Sequence, residues 1–259
     1  MKLVDAHIHL SDDDYSGCVD DIVQEAKALS VVALVSSSMD LKTSIGSLEL
    51  AERFPSMVYA AVGIHPWTVN DLMDDQFQET IDFISKKAKN KGLVAIGEIG
   101  LDFKYMNIWD KQLKVFDSML HLAEKLELPV IIHSRGTTAQ IVDMLPSYSV
   151  KKVLLHWFSN PISALTKAVD HGFYISEGAP VAFSNGIRDV VKKVPMENLL
   201  TETDGPVRFF RPPFQGKRTT SAFIPTIIKA IAEVRKMDPQ SVAEHVRENF
   251  EGFFGIKVN

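Results

Sequence analysis

Short apolar runs alternate with segments of helical periodicity from one end of this sequence to the other, and this alternation constrains the fold most. Such runs are apolar enough for burial on both faces, as in parallel sheets that helices cover. Eight βα units in series predict an α/β fold, a (β/α)8 TIM barrel with its helices outside. A doubly wound open sheet is the alternative, but it would usually carry a glycine-rich phosphate loop where this chain has His-Ile-His. The predicted strands are residues 4–10, 31–35, 57–64, 93–96, 129–133, 152–156, 172–176 and 198–203.

The chain is long enough to form one large core. Its 259 residues are 46% hydrophobic, and no change of composition marks a linker, so we predict one domain over residues 1–259. The first residues lack a secretory pattern, and no uncharged apolar run reaches the roughly eighteen residues that a bilayer span needs. A cytoplasmic protein is therefore expected. The predicted helices include residues 17–29, 41 to about 55, 76–88, 109–123, 219–234 and 238–250.

Charge and cysteine content exclude some classes of function. The single cysteine, Cys18, excludes an intrachain disulfide and a cysteine-rich zinc site. The formal net charge is −5, whereas a protein that coats DNA would be basic. Any contact with nucleic acid must therefore be local.

Two histidines end the first predicted strand. Side chains at i and i+2 of a strand point the same way, so His7 and His9 are placed to share one ion. A His-x-His pair is a weak signal by itself. Its meaning depends on whether other strands supply further ligands.

Barrel enzymes place their chemistry at the C-terminal ends of the strands, and more ligand-type residues fall there. Each has a structural explanation of its own, such as a satisfied histidine, a helix cap or a turn. A metal site explains them together, and we predict one. The residues are His65 after strand 3, Glu98 after strand 4, His133 and His156 at the ends of strands 5 and 6, and Asp204 after strand 8.

The predicted ligands exceed what one tetrahedral ion requires. Two divalent ions bridged by a carboxylate would use the set fully. We assign His7, His9 and Asp204 to one ion and His133 and His156 to the other, with Glu98 as the bridge. Nitrogen and oxygen ligands without sulfur suit Zn²⁺, Mn²⁺ or Mg²⁺ and leave the choice open.

Six motifs occur in order along the chain: D-A-H-I-H-L (5–10), G-I-H-P (63–66), G-E-I-G-L-D (97–102), P-V-I-I-H-S-R (129–135), L-H-W-F-S (155–159) and T-E-T-D-G-P (201–206). As an ordered set they resemble the TatD family of metal-dependent deoxyribonucleases, and together they span nearly the whole chain. The resemblance implies a barrel of the amidohydrolase superfamily and supports the metal assignment above. It also implies phosphodiester cleavage by a DNase or 3′-to-5′ exonuclease in DNA repair or DNA fragmentation.

The chain departs from the family pattern at three places. Trp157 stands where members usually have cysteine, and Gly205 stands where they usually have serine. Residues 219–222 replace a common Asn-x-Pro. None of these changes removes a predicted ligand. They alter the rim of the pocket, and so bear on the substrate more than on the reaction.

Metal-assisted hydrolysis is the reaction that the predicted site suits. Metal ions lower the pKa of a bound water, and Asp204 is the candidate general base. Together with the bridging Glu98, His65 is a candidate catalytic residue. His65 and Arg135 could bind the phosphate or assist the leaving oxygen. The structural alternatives are a helix-start His-Pro for His65 and a surface ion pair for Arg135.

A basic, aromatic segment directly follows Asp204. Residues 207–218 carry four cations and three phenylalanines, which could bind phosphates and stack unpaired bases. Arg208 and Arg211 are therefore candidate substrate-binding residues, and DNA, as single strands or 3′ ends, is the predicted partner. In the competing interpretation the phenylalanines pack beneath the loop and the cations are merely solvated.

Other functions remain open at this point. Related barrels hydrolyse carboxyl esters, lactones or amides with similar metal sets, and a non-catalytic metal-binding scaffold is a third class. The PHP phosphatases also begin with His-x-His but usually end in Asp-x-His, whereas Gly205 and Pro206 follow Asp204 here. The physiological metal, the preference for DNA over RNA, the polarity of cleavage and the oligomeric state are not determined by the sequence.

Overall fold

The structure is a computed structural model that describes residues 1–159 and 161–258. Eight parallel strands pair in the order in which they occur along the chain. This arrangement confirms the predicted (β/α)8 barrel. The strands are β1 (Leu3–Ile8), β2 (Val31–Ser37), β3 (Val58–Val62), β4 (Leu93–Asp102), β5 (Val130–Arg135), β6 (Val153–Leu155), β7 (Tyr174–Glu177) and β8 (Leu199–Thr201).

The gap between β1 and β8 is closed by hydrogen bonds at their C-terminal ends. The backbone amide of Asp204 donates to the carbonyl of His7 at 3.0 Å. The amide of His9 donates to the carbonyl of Gly205 at 2.8 Å. These bonds fix the two ends of the sheet to each other, and they bring the chain after β8 alongside the histidines of β1.

The helices cover the outside of the barrel. Every residue of β1, β3, β4, β6 and β8 is buried, as expected for strands that pack on both faces. The longest helix shows the physical reason: in α4, Phe116, Leu120 and Ala123 lie on one face and are buried. The helices are α1 (Val19–Ala28), α2 (Leu41–Arg53), α3 (Asp74–Lys87), α4 (Trp109–Leu126), α5 (Thr138–Met144), α6 (Ile162–Asp170), α7 (Asn185–Lys193), α8 (Ile224–Arg235) and α9 (Pro239–Phe254).

The largest difference from the predicted elements is in β4. We predicted a strand over residues 93–96 with Glu98 after it, but the strand continues to Asp102, so Glu98 lies inside it. The glycines in this stretch allow β4 and β5 to approach closely. A Cβ on Gly97 would lie 2.8 Å from the Cβ of Ile131. Gly100 has φ +151° and a Cβ there would lie 2.0 Å from the carbonyl oxygen of His133.

The described helices are all too short or too polar to cross a bilayer.

Candidate metal centre

All the predicted ligands lie together at the C-terminal mouth of the barrel. They surround a cavity of about 550 Å³, and each is buried. His7 is completely buried and contacts the others from β1. The cavity itself is lined by His65, the candidate catalytic and substrate-binding residue, and by the other five predicted ligands: His9, Glu98, His133, His156 and Asp204.

The end of β2 orients both histidines of β1. The Nδ1 atom of His9 lies 3.1 Å from the carbonyl oxygen of Ser37, and Nδ1 of His7 lies 3.0 Å from the hydroxyl of the same serine. A carbonyl only accepts, so in the neutral ring of His9 the proton lies on Nδ1 and Nε2 has the lone pair that a metal ion would use. The Nε2 atoms of His7 and His9 are 3.3 Å apart. Two imidazoles so arranged can share one cation.

Glu98 joins this pair to the histidines of β5 and β6. Its Oε2 lies 3.2 Å from Nε2 of both His7 and His9. Its Oε1 lies 2.8 Å from Nε2 of His156 and 2.9 Å from Nδ1 of His133. Each carboxylate oxygen therefore faces a different pair of histidines.

Asp204 faces the His7–His9 side. Its Oδ1 is 3.3 Å from Nε2 of His7 and 3.5 Å from Nε2 of His9. The buried Asp5 positions this segment, since the Thr203 hydroxyl donates to Asp5 Oδ2 at 2.6 Å and the Thr203 amide donates to Asp5 Oδ1 at 3.1 Å.

The donor set fits divalent cations. Three overlapping groups bring their donor atoms within 4.8 Å of one another: His7, His9 and Asp204; His7, Glu98 and His156; and His65, Glu98 and His133. Glu98 Oε2 is buried and has no hydrogen bond of good geometry to the described residues. A buried carboxylate oxygen without such a partner is costly unless a cation balances it. The nitrogen and oxygen donors suit Zn²⁺, Mn²⁺ or Mg²⁺.

In the metal-free protein, the carboxylates and histidines of the cluster stabilise each other's charged forms. Burial disfavours the charge on Glu98, but the neighbouring histidines outweigh it and hold the pKa of this carboxyl well below its usual range. Burial likewise opposes the charge on His9. Contacts with Asp204 and Glu98 prevail and raise the pKa of His9 to about 10. A metal ion at Nε2 of His9 must therefore displace a proton.

His65 differs from the other histidines of the cluster. The backbone amide of Trp67 donates to its Nδ1 at 3.1 Å, so Nε2 carries the proton of the neutral ring. That Nε2 lies 3.1 Å from Glu98 Oε1 and can donate to it. Burial lowers the pKa of His65 to about 4, although the charge of Glu98 opposes this shift. In this tautomer His65 orients Glu98 rather than offering a lone pair to a metal.

Asp102 forms hydrogen bonds with several residues of the pocket, and it was not among the site residues predicted from the sequence. Its Oδ2 lies 2.9 Å from Nε2 of His133 and accepts from the Trp67 indole at 2.6 Å. Arg135 binds it through Nε at 2.9 Å and Nη2 at 2.8 Å. Burial disfavours its charge, but the hydrogen bonds from His133, Arg135 and Trp67 hold the pKa of Asp102 well below its usual range. An ionised Asp102 keeps the proton of His133 on Nε2 and leaves Nδ1 for a ligand.

Asp102→Asn should lower metal affinity or turnover by about 10- to 100-fold, the usual effect of removing a partner of a ligating histidine. The amide is close to the carboxyl in size but can donate to His133, which favours the wrong tautomer. Isothermal titration with the metal and steady-state kinetics measure the two effects. Asp117→Asn, on the exposed side of α4, is the matched control, and equal behaviour of the two variants would contradict this role.

A second pair of carboxylates lies behind His156. Glu202 accepts from the Ser176 hydroxyl at 2.5 Å, and its Oε1 is 3.5 Å from His156 Nδ1. Both oxygens of the fully buried Glu177 have no hydrogen-bond partner among the described residues. Burial, and then repulsion from Glu202, raise the pKa of Glu177 well above its ordinary value. Glu177 is therefore held in its neutral form.

Glu177→Leu should stabilise the metal-free protein at pH 8 by about 1–3 kcal/mol, because it removes a buried acceptor without a partner. The pKa of Glu177 is higher in the folded than in the unfolded protein. The pH-dependent part of its destabilising effect is therefore absent below the ordinary value of 4.5 and grows as the pH rises towards the folded pKa. Thermal unfolding at pH 4.5 and pH 8 measures the difference. Glu177→Gln should abolish the pH dependence but keep the polar cost, and an equal gain at both pH values for the leucine variant would contradict the assignment.

The basic segment after Asp204 is only partly as predicted. Phe209 and Phe214 are buried, and Phe214 packs 4.5 Å from Phe223, so a base-stacking role is wrong for these two rings. Phe210 is 82% exposed. Arg208 lines a neighbouring cavity, and Arg211 is exposed on the same segment.

The chain is similar to known proteins over nearly its whole length. The model of the TatD related DNase family matches residues 4–255. The chain belongs to this family. A Bacillus subtilis protein named as the uncharacterized metal-dependent hydrolase YabD is 33% identical, over 98% of this chain and 99% of that protein. The human deoxyribonuclease TATDN3 is 30% identical, over 96% of this chain and 93% of that protein. The crystal structure of YJJV, a TatD homologue from Escherichia coli, superposes with a TM-score of 0.91 at 26% identity and covers 98% of both chains.

The departures from the TatD pattern have structural explanations. A Cβ on Gly205 would lie 2.1 Å from the hydroxyl of the buried Tyr15 and 2.7 Å from the carbonyl oxygen of Thr219, which leaves no room for a serine. Tyr15 donates to that carbonyl at 2.5 Å, and Ser221 donates to Asp5 at 2.7 Å. The replaced segment at 219–222 is thus bound to the rest of the mouth. Trp157 is half-buried at the wall of the cavity.

Proposed function

We propose that this TatD-family protein is a deoxyribonuclease that cleaves phosphodiester bonds with two divalent ions. The observation that carries the proposal is the position of Glu98, whose Oε2 faces His7 and His9 while its Oε1 faces His133 and His156. A carboxylate in this position suits a bridge between two ions a few ångströms apart. The donor chemistry fits Mg²⁺, Mn²⁺ or Zn²⁺.

Bound divalent ions supply an activated water and positive charge against the phosphoryl oxygens. We propose that Asp204 is the general base of this reaction. Its Oδ1 faces His7 and His9, and Oδ2 is the atom that would take up the water proton. Burial opposes the charge on Asp204, but the adjacent histidines hold its pKa well below the usual range, so the carboxylate is ionised in the metal-free protein.

His65 and Arg135 are proposed to orient the phosphate. His65 holds Glu98 through a neutral Nε2–H, and both residues line the cavity. Asp102 engages Nε and Nη2 of Arg135, and the Trp67 ring lies 5.2 Å from its guanidinium carbon. Arg135 is thus fixed in place with Nη1 left for a phosphoryl oxygen.

Single-stranded DNA or a 3′ end is the substrate that we propose. The rim of the cavity presents Trp67, which is 42% exposed, and Trp157. Such rings stack on unpaired bases, which a duplex does not offer. The exposed Arg208 and Arg211 on the following segment add local positive charge to an acidic protein and are proposed to contact the DNA backbone. The named activity of the human relative, a deoxyribonuclease, agrees with this choice. The roles in DNA repair and in the cytoplasm remain predictions.

Turnover by the metal-reconstituted protein tests the proposal. Purified protein is stripped of metal, reloaded with Mg²⁺, Mn²⁺ or Zn²⁺, and given single-stranded DNA, duplex DNA, RNA, a simple phosphodiester, a carboxyl ester and a lactone. We expect cleavage of single-stranded DNA and of the phosphodiester, and its loss on chelation. Strong turnover of the carboxyl ester or lactone with none on nucleic acid would favour the amidohydrolase alternative. Metal binding without turnover of any substrate would favour a scaffold.

A further inference from the structure

A second cavity of about 330 Å³ lies directly beside the catalytic pocket. The two cavities share three wall residues, Trp157, Ser159 and Val207, so they are adjacent. We call the second cavity the side cleft. Its other walls come from the turn before α7 and from the segment after β8, and include Phe183, Ser184, Arg208 and Phe209.

Two aromatic rings of the side cleft are held in place from behind. Phe209 is only 8% exposed, and its ring centroid lies 5.9 Å from that of Trp157 and 6.1 Å from that of Phe183. Trp157 and Phe183 are themselves half-buried, so each has one part packed in the protein and another part at the cleft. Rings fixed in this way lose little conformational entropy when a flat ligand stacks on them.

The polar groups of the side cleft favour an anion. The guanidinium of Arg208 is exposed at its wall, and the hydroxyls of Ser159 and Ser184 can donate hydrogen bonds. No aspartate or glutamate lines the cleft within the described residues, although the protein as a whole carries a net charge of −5. A flat apolar surface beside a cation is the combination that binds a nucleotide: the base stacks and the phosphate pairs with the cation.

We propose that the side cleft is a nucleotide subsite for the residue next to the scissile phosphodiester. The inference rests on the proposed function, because the scissile group itself must occupy the catalytic pocket. The base of the neighbouring nucleotide stacks on Trp157 and Phe183, and Arg208 pairs with its phosphate. Trp157, which belongs to both cavities, separates the reacting phosphate from the stacked base and sets the position of one relative to the other.

Paired substrates test this subsite. Methyl p-nitrophenyl phosphate has one reactive diester and no neighbouring nucleotide, whereas a ten-residue oligothymidylate fills both cavities. Trp157→Ala, Phe183→Ala and Arg208→Gln should each raise KM for the oligonucleotide about tenfold, given the usual contribution of one stacked base or one phosphate contact. Phe183 lines only the side cleft, so Phe183→Ala should also leave kcat/KM for the small diester within about twofold. Lys193→Gln removes an exposed cation of α7 outside both cavities and is the control for charge.

Binding without turnover gives a second measurement. In EDTA, anisotropy of a labelled oligothymidylate should show about tenfold weaker binding to Trp157→Ala, and Arg208→Gln should reduce the salt slope by about one unit. An oligonucleotide with an abasic residue should lose the difference between wild type and Trp157→Ala. Equal losses on both substrates, or unchanged KM and binding in all three variants, would overturn the subsite. A wild-type protein that hydrolyses neither phosphodiester with any metal would instead overturn the proposed function, and the subsite with it.

Discussion

Glu98→Gln is expected to abolish high-affinity binding of the two proposed metal ions and to lower kcat at least about a thousandfold. Among the described residues, Glu98 contacts histidines of β1, β5 and β6 at once, and the amide can offer only one oxygen. A thousandfold loss corresponds to about 4 kcal/mol of transition-state stabilisation, which is within the contribution of metal ions to hydrolysis. Metal content after dialysis and turnover of the phosphodiester measure the two effects.

Asp204→Asn is the matched variant for this experiment. It removes a carboxylate that faces only His7 and His9, so it should reduce the bound metal from two ions to one. Glu98→Gln should lose both proposed ions and Asp204→Asn only one, so the number of ions bound distinguishes a carboxylate that bridges two ions from one that contacts a single ion. A general loss of folding would not produce this difference between the two variants. Two tightly bound ions in the Glu98→Gln protein would contradict the bridge.

The apparent affinity for metal should fall at least about tenfold for each unit by which the pH is lowered between pH 8 and pH 6. The pKa of His9 is about 10 in the metal-free fold, so the proton on Nε2 must leave when an ion binds there. This raised pKa also means that protonated His9 stabilises the metal-free protein fully below its ordinary pKa of 6.5. That contribution is lost as the pH rises through about 10. A metal ion at Nε2 of His9 would therefore replace the proton there in balancing the negative charges of Glu98 and Asp204.

Isothermal titration in buffers of different ionisation enthalpy counts the protons released. At least one proton per ion on the His7–His9 side is expected at pH 7. His9→Gln should release about one proton fewer, whereas His245→Gln, on the exposed side of α9, should release the same number as wild type. Affinity that does not change between pH 6 and pH 8 would show that His9 does not coordinate through the protonated nitrogen.

The barrel and its ligands could be predicted because both follow from periodicity. Strand and helix repeats establish eight βα units, and parallel strands in a barrel all end at one mouth. Any ligand-type residue at such an end must therefore meet the others. This is why His7, His133 and Asp204 are brought together although more than a hundred residues separate some of them.

Asp102 was missed although the sequence carried a signal for it. Side chains at i and i+4 of a strand share a face, so Asp102 points the same way as Glu98 if the strand continues. We predicted that the strand ends at residue 96, before the glycines at 97 and 100. Only the packing against β5, where a Cβ on Gly97 would meet Ile131, shows that these glycines permit close strand pairing instead.

The burial and hydrogen bonding of the charged and aromatic side chains at the mouth depend most on tertiary structure. The sequence could not tell that Phe209 is buried while Phe210 is exposed, because neighbouring loop residues have no fixed alternation. Nor could it tell that Glu177 lacks a hydrogen-bond partner among the described residues or that Trp67 fixes the tautomer of His65. Both depend on what lies within a few ångströms in space.

The sequence by itself thus determined the class of fold and which candidate ligands meet at the mouth of the barrel. Strand periodicity and strand ends can be read locally from the sequence, and a parallel barrel brings the strand ends together in space. The tertiary structure alone decided which oxygen of Glu98 faces which histidines, which nitrogens carry protons, and that Trp157 stands between two cavities. Those features depend on distances of about 3 Å between residues remote in the chain, and hydrogen bonding and charge interactions vary steeply over that range.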